Sequence, residues 1–206
     1  MLDISFLKLR RPLISQQHAL SPTAARLRVF LKDTHVGHDA SATLLRLMEW
    51  SGALQTKTLE IVANPPTSDS IEQIAENLVE PASGIERQLL LKSVQEALYY
   101  CVGFATNLTA PQITMSVKRW LAHHGQAALL QRFLSLYFFN AIWLHTAEVF
   151  RGQAITVEAL ERDLQQLEQV CHEAIGEAYE QIETLEAASA EQLLRAIEQR
   201  LRTIRL

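Results

Sequence analysis

Histidine and carboxylate side chains spaced about one helical turn apart are the residues of this chain best suited to hold a metal ion or a small ligand. His145 and Glu148 form one such pair, and Glu168 and His172 form another, so each pair shares one face of a helix. A metal site in a helical bundle usually needs Glu-x-x-His pairs that converge from facing helices. Neither pair is duplicated in the sequence. We therefore predict no metal site and no cofactor, and we keep His145 and Glu148 as candidate ligand-binding residues.

Asn140 is the third candidate ligand-binding residue, because it is an amide inside an apolar segment. Its neighbours in the sequence include Phe139 and Trp143. A buried amide must find a hydrogen-bond partner or cost about 1 to 3 kcal/mol. Asn140 therefore either bonds to a neighbouring helix, which is the commoner case, or lines a small-molecule pocket together with His145 and Glu148.

Arg119 and His124 form an Arg-x4-His spacing near the end of a predicted helix. Residues 119–124 resemble the motif of the HEPN ribonuclease superfamily, whose domains are also all-α. The resemblance implies that Arg119 steadies a phosphate and that His124 performs acid-base cleavage of RNA. Trp120 departs from the family, which usually has a polar residue directly after the arginine. The alternative for His124 is structural, because a protonated imidazole in the last turn of a helix complements the helix dipole.

The sequence offers no motif for nucleophilic catalysis. It contains neither a Gly-x-Ser-x-Gly elbow nor a Gly-rich phosphate-binding loop. The two cysteines, Cys101 and Cys171, have the apolar neighbours of core residues, so we predict buried thiols and no disulfide framework. These observations favour a non-enzymatic protein over an enzyme, and a reducing, cytoplasmic compartment.

Apolar residues recur at helical spacing along almost the whole chain, which predicts a single all-α domain over residues 1–206. Capping residues and glycines divide it into about seven or eight helices. Ser70 and Ser83 each begin a capping box at the start of a helix. Gly52 and Gly125 are predicted helix ends.

The helix predicted to follow Gly125, residues 126–151, is rich in aromatic residues that point in every direction around its axis. This pattern is typical of a helix covered on all sides, so we place it at the centre of the bundle. Its uncharged run from Phe133 to Leu144 has about twelve residues, whereas a membrane span needs roughly 20. We therefore expect no membrane partner.

The last 50 residues carry apolar side chains in a coiled-coil-like spacing, which predicts one helix or a helical hairpin over residues 156–206. This segment is expected to pack on the body, on a second copy or on another protein. Residues 1–20 are a possible docked arm. The predicted contact residues, which we call the C-terminal seam, are Leu160, Leu164, Leu167, Ile175, Ile182, Leu185, Leu194, Ile197, Leu201 and Ile204.

The small net charge of -4 hides a strong division along the chain. Residues 97–147 contain three basic side chains and no acid, whereas residues 148–206 contain six basic and twelve acidic side chains. Three cations are far fewer than the clustered stripe that nucleic-acid binding usually requires. The leading interpretation is a protein that acts through protein-protein contacts, as a homo-oligomer or as a subunit or regulator of a complex. The alternatives are an RNA-directed protein and a small-molecule or metal-binding bundle.

Overall fold

Seven α-helices form the part of the chain that the computed structural model describes. That part comprises residues 22–33, 38–56, 70–79, 82, 84–103, 108–146, 156–180 and 187–203. The helices are α1 (Pro22–Asp33), α2 (His38–Thr56), α3 (Ile71–Val79), α4 (Gly84–Cys101), α5 (Ala110–Thr146), α6 (Val157–Tyr179) and α7 (Ala187–Thr203). These ranges contain no strand, so the predicted all-α fold is confirmed. The predicted N-terminal arm lies outside the described residues.

Local signals in the sequence begin several helices at the expected places. At the start of α3, the Ser70 hydroxyl accepts a hydrogen bond of 3.2 Å from the backbone N–H of Gln73. At the start of α6, the Thr156 side chain accepts one of 3.3 Å from the backbone N–H of Ala159. Such caps satisfy N–H groups that the first turn of a helix leaves unbonded. After α4, Gly103 has a φ of 69°, which glycine adopts without the strain of a Cβ atom.

Gly52 does not end its helix, contrary to the prediction, because α2 continues to Thr56. A Cβ atom at position 52 would lie 3.3 Å from Nε2 of Gln126, so the glycine leaves room for this side chain of α5. Gln126 donates hydrogen bonds to the Met48 carbonyl and to the Ser51 hydroxyl. Gly52 therefore serves a close approach between α2 and α5.

α5 changes direction at Gly125, where φ is 81° and ψ is 163°. These angles lie outside the helical region and in a region that is essentially limited to glycine. The kink divides α5 into a first half, residues 110–124, and a second half, residues 126–146. The predicted helix end at Gly125 and the predicted start of a new helix after it are both confirmed.

The second half of α5 lies at the centre of the core. Phe133, Leu134, Phe138 and Ile142 are fully buried there, and α5 contacts α1, α2, α4 and α6. Within the described ranges, one helix, Pro111–Thr146, is long and apolar enough to cross a membrane by length and composition, and 56% of its most apolar window is buried inside the molecule. This burial is what a core helix requires.

α6 and α7 pack against each other and against the body. α6 contacts α5 and α1, and α7 contacts α2 and α1. The seam therefore contributes to the shared core, and the coiled-coil-like interpretation of this segment is not confirmed. Of the C-terminal seam, Leu167, Ile175, Leu194, Ile197 and Leu201 are buried, Leu160 and Leu164 are half-buried, and Ile182, Leu185 and Ile204 lie outside the described residues.

A buried ion pair joins α1 to α6. Nε of Arg26 donates to the Asp163 carboxylate over 2.8 Å, and the two side chains are only 2% and 4% exposed. Arg26 also donates to Oγ1 of Thr146 over 3.1 Å. Its Cζ atom lies 4.3 Å from the centre of the Trp143 ring. One side chain therefore connects α1, α5 and α6.

Candidate interaction surface

Arg119 and His124 are both exposed on the first half of α5. Their separation along the helix directs the two side chains about 140° apart around the axis, at 3.6 residues per turn. The His124 ring stacks on Trp120, one turn earlier, with ring centres 4.5 Å apart and an angle of 27° between the planes. The structure therefore joins His124 to Trp120, and a role of Arg119 and His124 in RNA cleavage stays a prediction.

Trp120 belongs to a row of side chains that joins α5 to the end of α4. Its ring meets Tyr100 edge to face, with centres 6.1 Å apart and an angle of 77°. Cζ of Arg132 lies 4.9 Å from the centre of the Tyr100 ring, a distance at which a cation and an aromatic face attract. The row thus runs from His124 through Trp120 and Tyr100 to Arg132. Because Gly125 lies between Trp120 and Arg132, both halves of the kinked helix contact Tyr100.

Beside this row, a second exposed strip follows the first half of α5, about 100° around the helix axis from Trp120 and His124. Met115, Arg119 and His123 are exposed and four residues apart, so they share one face of the helix. Tyr100 is 46% exposed and Met115 is 39% exposed, which is high for large apolar side chains. We call the exposed strip and the adjoining rings together the basic-aromatic surface, which extends around about half of the helix and consists of Tyr100, Met115, Arg119, Trp120, His123 and His124.

Arg132 connects the basic-aromatic surface to α6. Its Nη1 atom lies 3.2 Å from Oε1 of Glu168. Its Nε atom is buried and has no hydrogen-bond partner in the described part of the chain, although a buried unpaired donor costs about 1 to 3 kcal/mol. The face of Tyr100 provides part of the compensation for this half-buried side chain.

The outer side of α6 is acidic. Among its exposed residues, Arg162 and His172 are the ones that can carry positive charge. Glu177 pairs with Arg200 over 3.5 Å, and Glu168 pairs with Arg132. The acidic face of α6, as we call it, therefore begins at the edge of the basic-aromatic surface. Its acidic residues are Glu158, Glu161, Glu168, Glu173, Glu177 and Glu180.

Asn140 is buried and bonds to α4. Its Nδ2 atom lies 3.4 Å from the Ser93 hydroxyl and 3.3 Å from a carboxylate oxygen of Glu96. The Ser93 hydroxyl in turn donates to the Leu89 carbonyl over 2.7 Å. Of the two alternatives for Asn140, the structure shows the bond to a neighbouring helix.

His145 is exposed, and its ring meets Phe30 edge to face with centres 6.0 Å apart. Glu148 lies outside the described residues, so a ligand site formed by Asn140, His145 and Glu148 stays a prediction. Within the ranges that the structure describes, no three His, Cys, Asp or Glu side chains form a group that could hold a metal ion.

Both cysteine thiols are buried. Burial raises the pKa of Cys101 to about 12. Burial, together with the charge of Glu168, also raises the pKa of Cys171. Because the thiolate is the nucleophilic form, a buried thiol with a raised pKa is a poor candidate nucleophile at neutral pH. The predicted core role of the two cysteines is confirmed.

No protein-family model, curated protein or solved structure matches the chain. The function is therefore inferred from the chemistry of the chain itself. Sequence reasoning singled out Arg119 and His124 but missed Tyr100, Trp120 and Arg132. The four-residue spacing of Trp120 and His124 predicts their stacking, whereas the contacts of Tyr100 depend on how α4 packs on α5.

Proposed function

We propose that this chain is a non-enzymatic helical protein that acts through contact with another protein, and that the basic-aromatic surface makes this contact. The observation that carries the proposal is the row formed by His124, Trp120 and Tyr100. The row lies in the segment of the sequence, residues 97–147, that contains no acidic side chain.

The residue types of this surface are those that dominate protein interfaces. Tyr, Trp, Met and Arg are enriched there, and a few central aromatic anchors usually carry most of the binding energy. A partner that covered Tyr100 and Met115 would remove exposed apolar area from water. Trp120 packs against the core, which limits the side-chain entropy that binding would cost.

This proposal moves the contact away from the C-terminal seam. Leu167, Ile175 and Ile197 are buried inside the chain and stabilise its own fold. They would reach a partner only if α6 or α7 separated from the body. The exposed rings on α4 and α5 need no such opening.

Single-stranded RNA is the main alternative partner for this surface. Bases stack on aromatic rings, and phosphates bind basic side chains. However, Arg132 is already paired with Glu168, where the acidic face of α6 begins. A polyanion that extended toward α6 would be repelled by its acidic side chains, whereas a protein partner can carry charges of both signs.

A photo-crosslinking residue in place of Met115 tests the proposal in cells that express the full chain. We expect crosslinks to protein from position 115, and a large loss of yield when Tyr100→Ala is added. The same crosslinker in place of Glu49, which is exposed on α2, is the matched control and should give few products.

Two results would contradict the proposal. One is an equal crosslinking yield from positions 115 and 49. The other is RNA as the main crosslinked species, which would favour the RNA-directed alternative. Cleavage of RNA by the purified chain, lost in Arg119→Ala and in His124→Ala with unchanged helicity, would establish the nuclease alternative.

A further inference from the structure

We infer that the partner of the basic-aromatic surface is the acidic face of α6 on a second copy of this chain. This inference rests on the proposed function and names its partner. In the resulting two-fold dimer, the basic-aromatic surface of each copy contacts the acidic face of the other copy.

Charge complementarity is the first argument for a second copy. Arg119 lies in a segment with no acid, whereas residues 148–206 have twice as many acidic as basic side chains. Glu173 is exposed on α6, and Glu180 is exposed directly after the last residue of that helix. Surfaces of opposite charge attract each other and disfavour misaligned contacts. Both surfaces are present on every copy of the chain.

The position of the two surfaces is the second argument. The contacts of Arg132 with Tyr100 and with Glu168 make the two surfaces neighbours on one molecule. A two-fold interface requires a self-complementary surface, in which each half meets the other half of the partner. A surface with a basic half beside an acidic half satisfies this condition when the two-fold axis passes between the two halves, and the assembly then closes at two copies.

The size of the surface is the third argument. α6 has 23 residues, so it is about 34 Å long at 1.5 Å per residue. A stable interface buries roughly 800 Å² on each partner. The basic-aromatic surface extends about 14 Å along α5, from Met115 to His124, so it fits within the length of α6. The two-fold arrangement makes this contact twice, with the exposed side chains of Tyr100 and Met115 as apolar anchors.

Sedimentation velocity of the purified full chain at low salt tests the inference. We expect the mass to rise from the 23.3 kDa of one copy to that of two copies as concentration increases. High salt should weaken the dimer because it screens charges on the surface. Two charge reversals at exposed positions should each raise the dissociation constant at least about tenfold. One variant is Arg119→Glu with His123→Glu, and the other is Glu173→Lys with Glu180→Lys.

Mixing the two variants gives the sharpest result. In the two-fold arrangement each variant repels its own copy, but the mixture restores opposite charges at both contacts. A heterodimer should therefore form while each variant alone stays monomeric. The matched controls are Arg28→Glu and Glu49→Lys, which reverse exposed charges on α1 and α2 and should leave dimerisation unchanged.

Three results would overturn the inference. They are a wild-type chain that stays monomeric up to high micromolar concentration, a dimer that both charge reversals leave unchanged, and a mixture that forms no heterodimer. A monomeric wild-type chain that still crosslinks from position 115 to a different protein would overturn the second-copy inference alone. The absence of any protein crosslink from position 115 would overturn the proposed function as well.

Discussion

Arg26 is a charged side chain in the interior of the protein, and its partners account for that position. Asp163 neutralises the charge, Thr146 accepts a further hydrogen bond, and the face of Trp143 lies against the guanidinium. The cost of removing two charges from water can exceed the attraction between them. The pair therefore matters most when one partner is lost and the other remains buried.

Arg26→Met should lower the free energy of unfolding by about 3 to 5 kcal/mol, because the Asp163 carboxylate stays buried after the cation paired with it is lost. The double variant Arg26→Met with Asp163→Leu should lose much less stability, since both charges of the pair are removed. Urea unfolding of the wild type, both single variants and the double variant measures the coupling. A loss below about 1 kcal/mol in Arg26→Met would contradict this account.

Glu86 and Glu72 should respond to pH in opposite directions. Burial, and then the charge of Asp39, raises the pKa of Glu86. The hydrogen bond from the Tyr99 hydroxyl lowers the pKa of Glu72. At pH values between the ordinary glutamate pKa and the raised pKa, Glu86 keeps its proton in the folded chain but loses it in the unfolded chain. Its contribution to stability therefore falls as pH rises through this range. The contribution of Glu72 is present above the ordinary glutamate pKa and is lost as pH falls.

Substitution by glutamine separates these two effects. Glu86→Gln should raise the free energy of unfolding at pH 7, and Glu72→Gln should lower it. Each change should stay below about 1 kcal/mol, because both side chains are partly exposed to water. Both differences should shrink in acid, where the carboxyl groups are protonated in the folded and unfolded chain. Shifts of the same sign at pH 7 would contradict the assigned pKa directions.

The kink in α5 is the feature of a single element that most affects the candidate surface. Trp120 lies before Gly125 and Arg132 lies after it, yet both contact Tyr100. A straight helix would separate two residues at these positions by about 18 Å along its axis. The change of direction at Gly125 accounts for how one ring at the end of α4 contacts both halves.

Gly125→Ala should destabilise the protein by about 1 to 3 kcal/mol, because the backbone angles at Gly125 are unfavourable for a residue with a Cβ atom. Gly176→Ala in α6 is the matched control and should stabilise the protein by up to about 1 kcal/mol through helix propensity. An added Cβ has open space at both positions, so the backbone alone distinguishes them. Chemical unfolding measures both effects, and equal shifts would contradict the argument.

For the molecule as a whole, short-range signals in the sequence predict where helices begin and end. Contacts between helices determine the roles of residues such as Gly52 and Arg26, and the sequence does not reveal these contacts. The cap at Ser70 and the break at Gly125 are visible in the sequence because they depend on a few neighbouring residues. Gly52 is misleading because its role depends on Gln126 of another helix. Arg26 and Asp163 are 137 residues apart, and no spacing rule links them.

The C-terminal seam shows that residue spacing also does not predict which parts of the domain pack together. A period of three and four residues indicates that one face of a helix must be covered, but it does not indicate what covers that face. Here the chain's own body covers α6 and α7. Ile175 and Ile197 therefore belong to the same core as Phe133 of the central helix.

One shared core predicts one cooperative unfolding transition for the whole chain. Far-ultraviolet circular dichroism reports all helices, including α6 and α7, whereas the three tryptophans, Trp50, Trp120 and Trp143, all lie outside those two helices. We expect both signals to change at the same urea concentration. An independent C-terminal hairpin would instead leave helicity after the tryptophan signal has changed.

Ile197→Ala extends this test from α7 to the rest of the molecule. Removing this buried side chain should cost about 2 to 5 kcal/mol, because it loses apolar burial and leaves a cavity. In a single cooperative unit, the loss must appear in the tryptophan transition to the same extent as in the circular dichroism transition, although no tryptophan lies in α7. A shift of the dichroism transition alone would show that α6 and α7 unfold separately from the body.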